Sequence, residues 1–133
     1  MVLITIEIQT NQRNQFVDVT DKVRRTVNQS RVSEGLCCLY VPHTTAAVCI
    51  NEAADPSVSR DIQTHLSRVV PERGDYQHLE GNSDAHIKSV LVGPTETIPI
   101  HQGRLVLGTW QGVFFCEFDG PRNRRLQVKI LAG

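Results

Sequence analysis

The segment between residues 76 and 88 carries the densest set of side chains that could do chemistry. Its candidate groups are His78, Glu80, Asn82, Asp84, His86 and Lys88. Imidazole and carboxylate groups are ligands of zinc and similar divalent ions, and a catalytic zinc site keeps three protein ligands and a water. The segment lacks the HExxH and paired-cysteine spacings of common zinc sites, so hydrogen-bonded structural histidines are the alternative interpretation.

Two further groups of polar side chains interrupt apolar runs. His43 with Thr44 and Thr45 separates two predicted buried strands, and Asn51 with Glu52 follows the second of these strands. A polar group buried without a hydrogen-bond partner costs about 1–3 kcal/mol, so polar residues in an apolar context need a reason. The reason is either a functional site or, for the histidine segment, a turn whose hydroxyls bond the backbone.

The only tryptophan, Trp110, lies next to Gln111 between Gly108 and Gly112. Glycines let a backbone approach a ligand closely, and the indole ring could stack on it. Glu117 follows on a predicted strand and shares a face with apolar residues. A carboxylate there must be paired, bound to a metal, raised in pKa or located at the open end of the strand. Its alternative role is an ion pair with one of three arginines: Arg104, Arg122 or Arg124.

Hydrophobic periodicity predicts the elements that must position these residues. Alternation or short apolar runs indicate strands at residues 2–9, 36–41, 46–50, 97–101, 104–107, 111–118 and 124–131. Spacings of three and four predict helices that begin near Thr20, at Asp55-Pro56 and near Asn82. Strands outnumber helices and do not alternate with them regularly. We therefore expect an α+β fold, with a mainly antiparallel sheet and a few short helices, in a single domain spanning residues 1–133.

Each predicted helix carries one apolar stripe. The stripes are Val19, Val23 and Val27; Val58, Ile62, Leu66 and Val69; and Ile87, Val90 and Leu91. Thr20 is suited to cap the first helix, Asp55 to cap the second, and Asn82 or Ser83 to cap the third. Asp61 and His65 lie four residues apart on the polar face of the second helix, which indicates a solvated pair.

The composition argues against several classes of partner. The chain has 133 residues, with 14 Lys and Arg against 14 Asp and Glu, so no global positive field attracts nucleic acid or an anionic membrane. The short run of Arg122, Arg124 and Arg125 is interpreted as solvated. No stretch approaches the ~20 apolar residues of a membrane span, which predicts a soluble, cytoplasmic protein.

The four cysteines are Cys37, Cys38, Cys49 and Cys116. Cys37 and Cys38 are adjacent, and neighbouring side chains of a strand point to opposite faces. Because the chain shows neither a paired-cysteine spacing nor a secretory segment, we expect buried or free thiols in a reducing compartment.

Taken together and in this order, these fragments resemble the YjbQ family, also called secondary thiamine-phosphate synthase enzymes, over nearly the whole chain. The matching segments are His43–Ala47, Asn51-Glu52, Asp55-Pro56, Gly81–Lys88, Pro99, Gly103-Arg104, Gly108–Gly112, Glu117 and Gly120–Arg122. The family usually has serine where this chain has Thr45, and the hydroxyl is kept. The resemblance implies an α+β homotrimer with a polar pocket near the subunit boundary and a metal site built from histidines. It also implies a weak ability to join a pyrimidine diphosphate to a thiazole phosphate.

The first hypothesis is a metal-dependent enzyme that acts on a small phosphorylated substrate. Its divalent ion, with zinc as the expected metal, would be held by His43, His78 and His86. Asp84 or Glu80 would be a fourth ligand or would orient an imidazole and fix its tautomer. The catalytic candidates are Glu52, Glu117 and Asp84, with the two glutamates as alternative general bases. The substrate-binding candidates are Asn51, Asn82, Lys88, Arg104, Trp110 and Gln111, with Arg122 as a further cation.

The second hypothesis is a trimeric metabolite- or metal-binding protein that uses the same pocket without turnover. It rests on the lack of a recognisable pair of nucleophile and base in the sequence. A third treats the polar residues as internal scaffolding of the trimer. Product formation distinguishes the first hypothesis from the second, and a loss of stability alone on substituting the histidines would support the third.

Overall fold

The structure, a computed structural model, describes residues 2–133, which form eight strands and three helices. In chain order these are β1 (Leu3–Gln9), β2 (Gln15–Asp18), α1 (Thr20–Ser30), β3 (Gly35–Tyr40), β4 (Ala46–Glu52), α2 (Pro56–Val69), α3 (Ser83–Val92), β5 (Thr95–His101), β6 (Arg104–Leu105), β7 (Gln111–Glu117) and β8 (Asn123–Ala132).

The strands form two sheets in which every adjacent pair is antiparallel. A five-stranded sheet has the order β1-β8-β3-β5-β6, and a three-stranded sheet has the order β2-β7-β4. The predicted α+β class is therefore confirmed. β8 lies between β1 and β3, with Leu3 of β1 opposite Lys129 and Leu36 of β3 opposite Leu131.

β7 is buried on both faces, which explains why its sequence is a continuous apolar run. Successive side chains of a strand point to opposite faces. Val113 and Phe115 accordingly face a large apolar cluster that includes α1, whereas Phe114 and Cys116 face a smaller cluster that includes Ala85 of α3. β7 thus contributes side chains to both apolar clusters. It begins and ends with a polar residue, Gln111 and Glu117.

α3 has its polar side chains inside and its apolar stripe outside. Asp84, Lys88 and Ser89 are buried against the rest of the chain. Val90 and Leu91 point outward with 82% and 61% of their surface exposed. The predicted stripe exists, but it does not pack on the core. An exposed apolar helix face of this kind is typical of an interaction surface.

The capping predictions are confirmed for one helix of three. Asp55 Oδ1 accepts a backbone N–H of α2 at 2.9 Å, as predicted. Thr20 is the first residue of α1 rather than its cap, and its hydroxyl accepts the backbone N–H of Val113 at 2.9 Å. Asn82 occupies the cap position of α3 without capping it, because its side chain binds Asp119 instead.

Two short strands depart from the sequence predictions. β2 was not predicted, since its four residues carry no clear alternation, and it is formed by pairing with β7. β6 has two residues instead of the predicted four. The cysteines at positions 37, 38, 49 and 116 are free, as predicted. No helix within residues 2–133 is both long enough and apolar enough to cross a membrane.

Candidate functional site

The β4–β7 pair separates most of the predicted site residues into two groups. Glu52 pairs with Gln111 at one end of the two strands, and Ala46 pairs with Glu117 at the other. Each strand has seven residues, so the ends lie about 20 Å apart at a rise of about 3.4 Å per residue. We call one group the histidine end; it consists of His43, His78, Asn82, Asp84, His86, Lys88 and Glu117. The other is the tryptophan end, which consists of Asn51, Glu52, Arg104, Trp110 and Gln111.

Two imidazoles of the histidine end are neighbours. The rings of His78 and His86 lie 5.6 Å apart between centroids and are nearly perpendicular, at 88°. Both line a cavity of about 480 Å³ on the outer side of α3. His78 Nε2 also lies 3.8 Å from a carboxylate oxygen of Glu80. At this separation the two rings could share one ion, since zinc binds imidazole nitrogen at about 2.0–2.1 Å.

His43 does not join this pair. Its Nε2 accepts the backbone N–H of Arg125 at 2.9 Å, so in the neutral ring Nδ1 carries the hydrogen and no nitrogen lone pair is left for an ion. Burial lowers the pKa of His43, and the positive charges of Arg124 and Arg125 lower it further, which keeps the ring neutral. His43 lines a separate cavity of about 560 Å³ together with Glu7, Gln9 and both arginines.

Residues 2–133 of one chain therefore do not form a complete three-ligand metal centre. No group of three His, Cys, Asp or Glu side chains within residues 2–133 is placed to hold an ion. The expectation that His43, His78 and His86 converge in a single chain is wrong, because the Arg125 backbone holds His43 away from the other two. The metal itself stays a prediction.

Glu117 is held inside the protein by contacts with its own chain. It is fully buried and forms an ion pair with Arg124, whose Nε lies 2.8 Å from Glu117 Oε1. It also accepts the Thr10 hydroxyl at 2.7 Å and the backbone N–H groups of Phe118 and Asp119 at 3.1 and 3.0 Å.

These contacts leave Glu117 poorly suited to be a general base. Burial raises the pKa of its carboxyl, but the hydrogen bonds from Arg124 and Thr10 outweigh burial, and the pKa lies below its ordinary value. The alternative predicted from the sequence, an ion pair, is confirmed with Arg124 as the partner.

Lys88 is enclosed by its own chain. Only 2% of its surface is exposed, and Nζ donates to Asn14 Oδ1 and to Ser67 Oγ, both at 3.1 Å. The ammonium also lies 5.7 Å from the ring centroid of Phe118. Burial lowers the pKa of Lys88, whereas the charge of Asp84 opposes that shift. In this position Lys88 cannot contact a phosphate, so the structure corrects its predicted role to an internal one.

Asp84 and Asn82 belong to a polar network organised by Arg13. The Arg13 guanidinium donates to Asp84 Oδ1 at 3.1 Å and to the Gly81 carbonyl at 3.2 Å, and it lies 3.5 Å from Asp119. Asn82 Nδ2 donates to Asp119 Oδ2 at 2.9 Å. Within residues 2–133, Asp84 Oδ2 and Asn82 Oδ1 are buried without a hydrogen-bond partner. The loop before α3 is thus anchored to the end of β7.

At the tryptophan end an exposed indole shares a cavity with one arginine, Arg24. Trp110 is 64% exposed, and with Gln111 it lines a cavity of about 240 Å³ whose wall includes Arg24 of α1. Arg24 also lines a second cavity, of about 320 Å³, together with Arg104. Gln111 Oε1 accepts the Gly108 N–H at 2.8 Å and so holds the turn that presents Trp110.

The carboxylate and amide of this end lie at the end of β4. Asn51 Oδ1 accepts the Glu52 backbone N–H at 2.8 Å, and the Trp110 carbonyl accepts the backbone N–H of Ala53 at 2.8 Å. The backbone of β4 thus ties the tryptophan turn to Glu52. The cavity of Trp110 is also lined by Asp18 and Asp21, and Arg24 Nη1 lies 3.8 Å from Asp21 Oδ1. An aromatic face beside a guanidinium group is suited to a small ligand that carries a ring.

Sequence reasoning missed Arg13 and Arg24. Arg24 is on the polar face of α1, where an arginine is ordinarily solvated, and only the approach of α1 to the tryptophan turn gives it another role. Arg13 contacts Asp84 across 71 residues of sequence, and it belongs to no local motif. Neither residue carries a signal in the sequence that could have identified it.

The fold and the two polar ends define a class of small α+β proteins with two antiparallel sheets and candidate sites at their edges. The family described as UPF0047 protein YjbQ-like matches residues 4–133. The chain belongs to this family.

Relatives and solved structures agree over nearly the full length. The UPF0047 protein MJ1081 of Methanocaldococcus jannaschii is 52% identical over 130 residues, which cover 98% of this chain and 94% of the relative. The UPF0047 protein YugU of Bacillus subtilis is 41% identical over 131 residues, covering 98% and 99%. A crystal structure of a YjbQ/UPF0047 protein from Clostridium acetobutylicum has a TM-score of 0.95 and 51% identity, covering 96% of this chain and 99% of that one. A YjbQ-like protein of unknown function from Sulfolobus solfataricus has a TM-score of 0.95 and 32% identity, covering 99% and 97%.

Proposed function

We propose that the protein is a homotrimeric, metal-dependent enzyme for a small phosphorylated substrate, with each complete site built between two copies. The observation that carries this proposal is the separation of the predicted residues into a histidine end and a tryptophan end. The two ends lie about 20 Å apart along β4 and β7, too far for one small substrate to contact both within one chain.

A ring of identical chains would bring the two ends together. A heterologous interface joins two different surface patches, and it closes into a ring when the rotation between copies closes. The histidine end of one copy would then face the tryptophan end of the next. A cyclic trimer is the smallest such ring beyond a dimer, and it agrees with the oligomer implied by the family resemblance.

The outward face of α3 supports an interface beside the histidine end. Val90 and Leu91 are exposed by 82% and 61%, on the helix that carries His86. Apolar surface of this kind is stabilised when another chain covers it, at roughly 25 cal/mol for each Å² removed from water. Association through α3 would place the histidine pair at the boundary between copies.

His78 and His86 fit as two ligands of a divalent ion, for which zinc is the proposed metal. A neighbouring copy would supply the remaining ligand. His43 could serve only after its bond to the Arg125 backbone is broken, because that bond occupies Nε2. When bound, the ion would supply positive charge close to an anionic substrate.

The tryptophan end would bind the substrate. Arg24 and Arg104 supply positive charge for a phosphate, and the exposed face of Trp110 is available to stack on a heterocycle. We propose the synthesis of thiamine phosphate as a weak side activity. In that reaction the thiazole nitrogen attacks the methylene carbon of the pyrimidine diphosphate, a C–N bond forms, the C–O bond breaks, and diphosphate leaves. The chain contributes alignment and cations.

One observation favours binding without turnover as the second candidate. Glu117 and Lys88, two of the predicted reactive groups, are fully engaged with partners in their own chain. A protein in which these two groups are not available for chemistry could bind a phosphorylated metabolite and release it unchanged.

Metal analysis of the purified protein, paired with an assay for thiamine phosphate, tests the proposal. We expect close to one divalent ion per chain by plasma mass spectrometry, and His86→Ala and His78→Ala should each lose most of it, as removal of one ligand requires. His65→Ala is the matched control, because His65 is exposed on α2 outside both ends.

Three results are informative. Loss of the metal together with loss of product supports the enzyme. A bound ion and a bound substrate analogue without product support the binding protein. A metal-free protein whose activity is unchanged by His86→Ala overturns the metal-dependent mechanism.

A further inference from the structure

Cys49 and Cys116 form a close pair of thiols that no part of the candidate site uses. Cys49 is in β4 opposite Phe114, and Cys116 is in β7 opposite Ala47, so the two cysteines are diagonal neighbours on one face of the three-stranded sheet. Their Sγ atoms lie 3.5 Å apart, with Cys116 as donor and Cys49 as acceptor. Two cysteines separated by 67 positions in the chain are thus in contact.

The two thiols differ in access. Cys116 is fully buried in the smaller apolar cluster, whereas Cys49 is half-buried at its edge. Burial raises the pKa of Cys116 well above its ordinary value. The S–H group of Cys116 donates to Cys49 and lowers the pKa of the Cys49 thiol. The accessible thiol is therefore the one whose thiolate is stabilised, and the thiolate is the reactive form of cysteine.

We propose that Cys49 and Cys116 are a redox-active dithiol, in which a peroxide oxidises Cys49 and Cys116 resolves the product as an intramolecular disulfide. The inference rests on the contact between the two sulfurs and on the access of one of them to solvent. It does not depend on the metal, the substrate or the trimer.

The chemistry balances with hydrogen peroxide as the oxidant. The Cys49 thiolate attacks one peroxide oxygen, the O–O bond breaks, and hydroxide leaves with the electron pair, which gives a sulfenic acid on Cys49. The Cys116 sulfur then attacks the Cys49 sulfur, an S–S bond forms, and the S–O bond breaks. The released hydroxide takes the Cys116 proton, so two thiols and one peroxide give one disulfide and two waters.

The distance between the sulfurs is short enough for the second step. A disulfide has an S–S length of about 2.05 Å, so the two sulfurs must approach by about 1.5 Å from their 3.5 Å separation. Cys37 and Cys38 offer no such pair, because they are consecutive residues of β3. Cys37 is fully buried, and Cys38 is half-buried on the opposite face of the strand.

Thiol counting after peroxide treatment tests the proposal. The reduced chain has four thiols. After one equivalent of hydrogen peroxide we expect about two to remain, with a mass decrease of about 2 Da for the two hydrogens removed. A non-reduced chymotryptic digest, in which cleavage after Tyr40 separates Cys38 from Cys49, should contain one cross-linked species joining the peptides of Cys49 and Cys116, and dithiothreitol should restore all thiols.

Variants separate the roles of the two sulfurs. In Cys116→Ser the sulfenic acid on Cys49 should persist and be trapped by dimedone, whereas Cys49→Ser should lose no thiol at this peroxide dose. Cys38→Ser is the matched control and should oxidise like the wild type.

A wild-type digest that lacks the cross-linked species, or a disulfide that joins two chains through Cys38, overturns the proposal. The digest needs no variant, so a variant that fails to fold does not remove the test.

Discussion

Glu117 and Arg124 illustrate how a charged residue can be a requirement of the fold. Both are buried, and each satisfies hydrogen-bonding groups that apolar neighbours cannot satisfy. A buried ion pair adds little net stability compared with apolar residues of the same size. Removing one partner is costly, however, because it leaves an uncompensated charge in the core.

We therefore expect Glu117→Gln to lower the free energy of unfolding by about 3–5 kcal/mol. Denaturant unfolding followed by circular dichroism measures this loss. Glu52→Gln is the matched variant at the other end of the same strands. It should change stability by less than about 1 kcal/mol, as is usual for partly exposed positions, and should reduce activity. A Glu117→Gln protein with wild-type stability but no activity would instead restore Glu117 as the general base.

Protonation of His43 should make the free energy of unfolding depend on pH. Its pKa in the folded chain is lowered by burial and by the nearby arginines, whereas an unfolded histidine titrates near pH 6.5. Below about pH 6.5 the unfolded chain consequently binds more protons than the folded chain, and stability falls as the pH falls.

We expect the free energy of unfolding to decrease between about pH 7.5 and pH 5.5, and we expect a smaller decrease in His43→Gln. Glutamine keeps an acceptor for the Arg125 N–H but does not titrate in this range. Equilibrium unfolding at the two pH values measures the difference, with His65→Gln as the control. An equal decrease in His43→Gln and in the wild type would assign the pH dependence to another group.

At the level of elements, the orientation of α3 has the clearest consequence. A helix normally places its apolar stripe on its own core. Here the core side holds Asp84, Lys88 and Ser89, and the apolar residues face outward. The buried polar side bonds to Arg13, Asn14 and Ser67, and the outer side remains available for a second copy of the chain.

Charged substitutions on the outer side of α3 should therefore break the oligomer without unfolding the chain. We expect Val90→Glu combined with Leu91→Glu to give a species with a mass near the 14.9 kDa of one chain, whereas the wild type should be about three times heavier. Analytical ultracentrifugation measures the masses. Arg25→Glu, at an exposed position of α1, controls for a change in net charge. A double variant that remains trimeric would place the interface on another surface.

The secondary structure was largely predictable from the sequence because most of its signals are local. Alternation predicted β1, the Asp55-Pro56 start predicted α2, and the apolar run before Glu117 predicted β7. β2 was missed because four residues carry too little pattern, and its formation depends on pairing with β7. The stripe of α3 was identified correctly, but periodicity shows which residues share a face and not what that face contacts.

The candidate site was less predictable because its contacts are not local. The sequence identified His78 and His86 only as imidazoles that can bind a metal, and their proximity could be seen only in the fold. The same reasoning placed His43 with them, whereas the backbone of Arg125 holds it elsewhere. The register of β4 and β7, which separates Glu52 from Glu117, has no signature in either strand alone.

At the scale of the whole molecule, the two polar ends make a prediction about the ring of copies. Suppose that every site takes its histidine end from one chain and its tryptophan end from the next. A substitution at one end and a substitution at the other then inactivate different halves of a site. A chain with a defective histidine end still offers an intact tryptophan end to its neighbour.

We therefore expect His86→Ala and Trp110→Ala to be inactive separately and to restore activity when co-expressed. With equal, random mixing each half of a site is intact with a chance of one half, so about one quarter of the sites should recover. Formation of thiamine phosphate by the mixed trimers measures the recovery. His86→Ala mixed with His78→Ala is the control and should recover nothing, because both variants damage the same end. Failure of the first pair to recover would place each complete site within one chain.

The position of β8 also affects how the chain is made. β8 fills the gap between β1 and β3, although both of those strands are synthesised long before it. A nascent polypeptide on the ribosome must therefore hold two unpaired strand edges open until residues 123–132 emerge, and such edges are prone to pair with other chains. Any product that ends before β8 would be left with a split sheet and an uncovered core, and cellular proteases should remove it quickly.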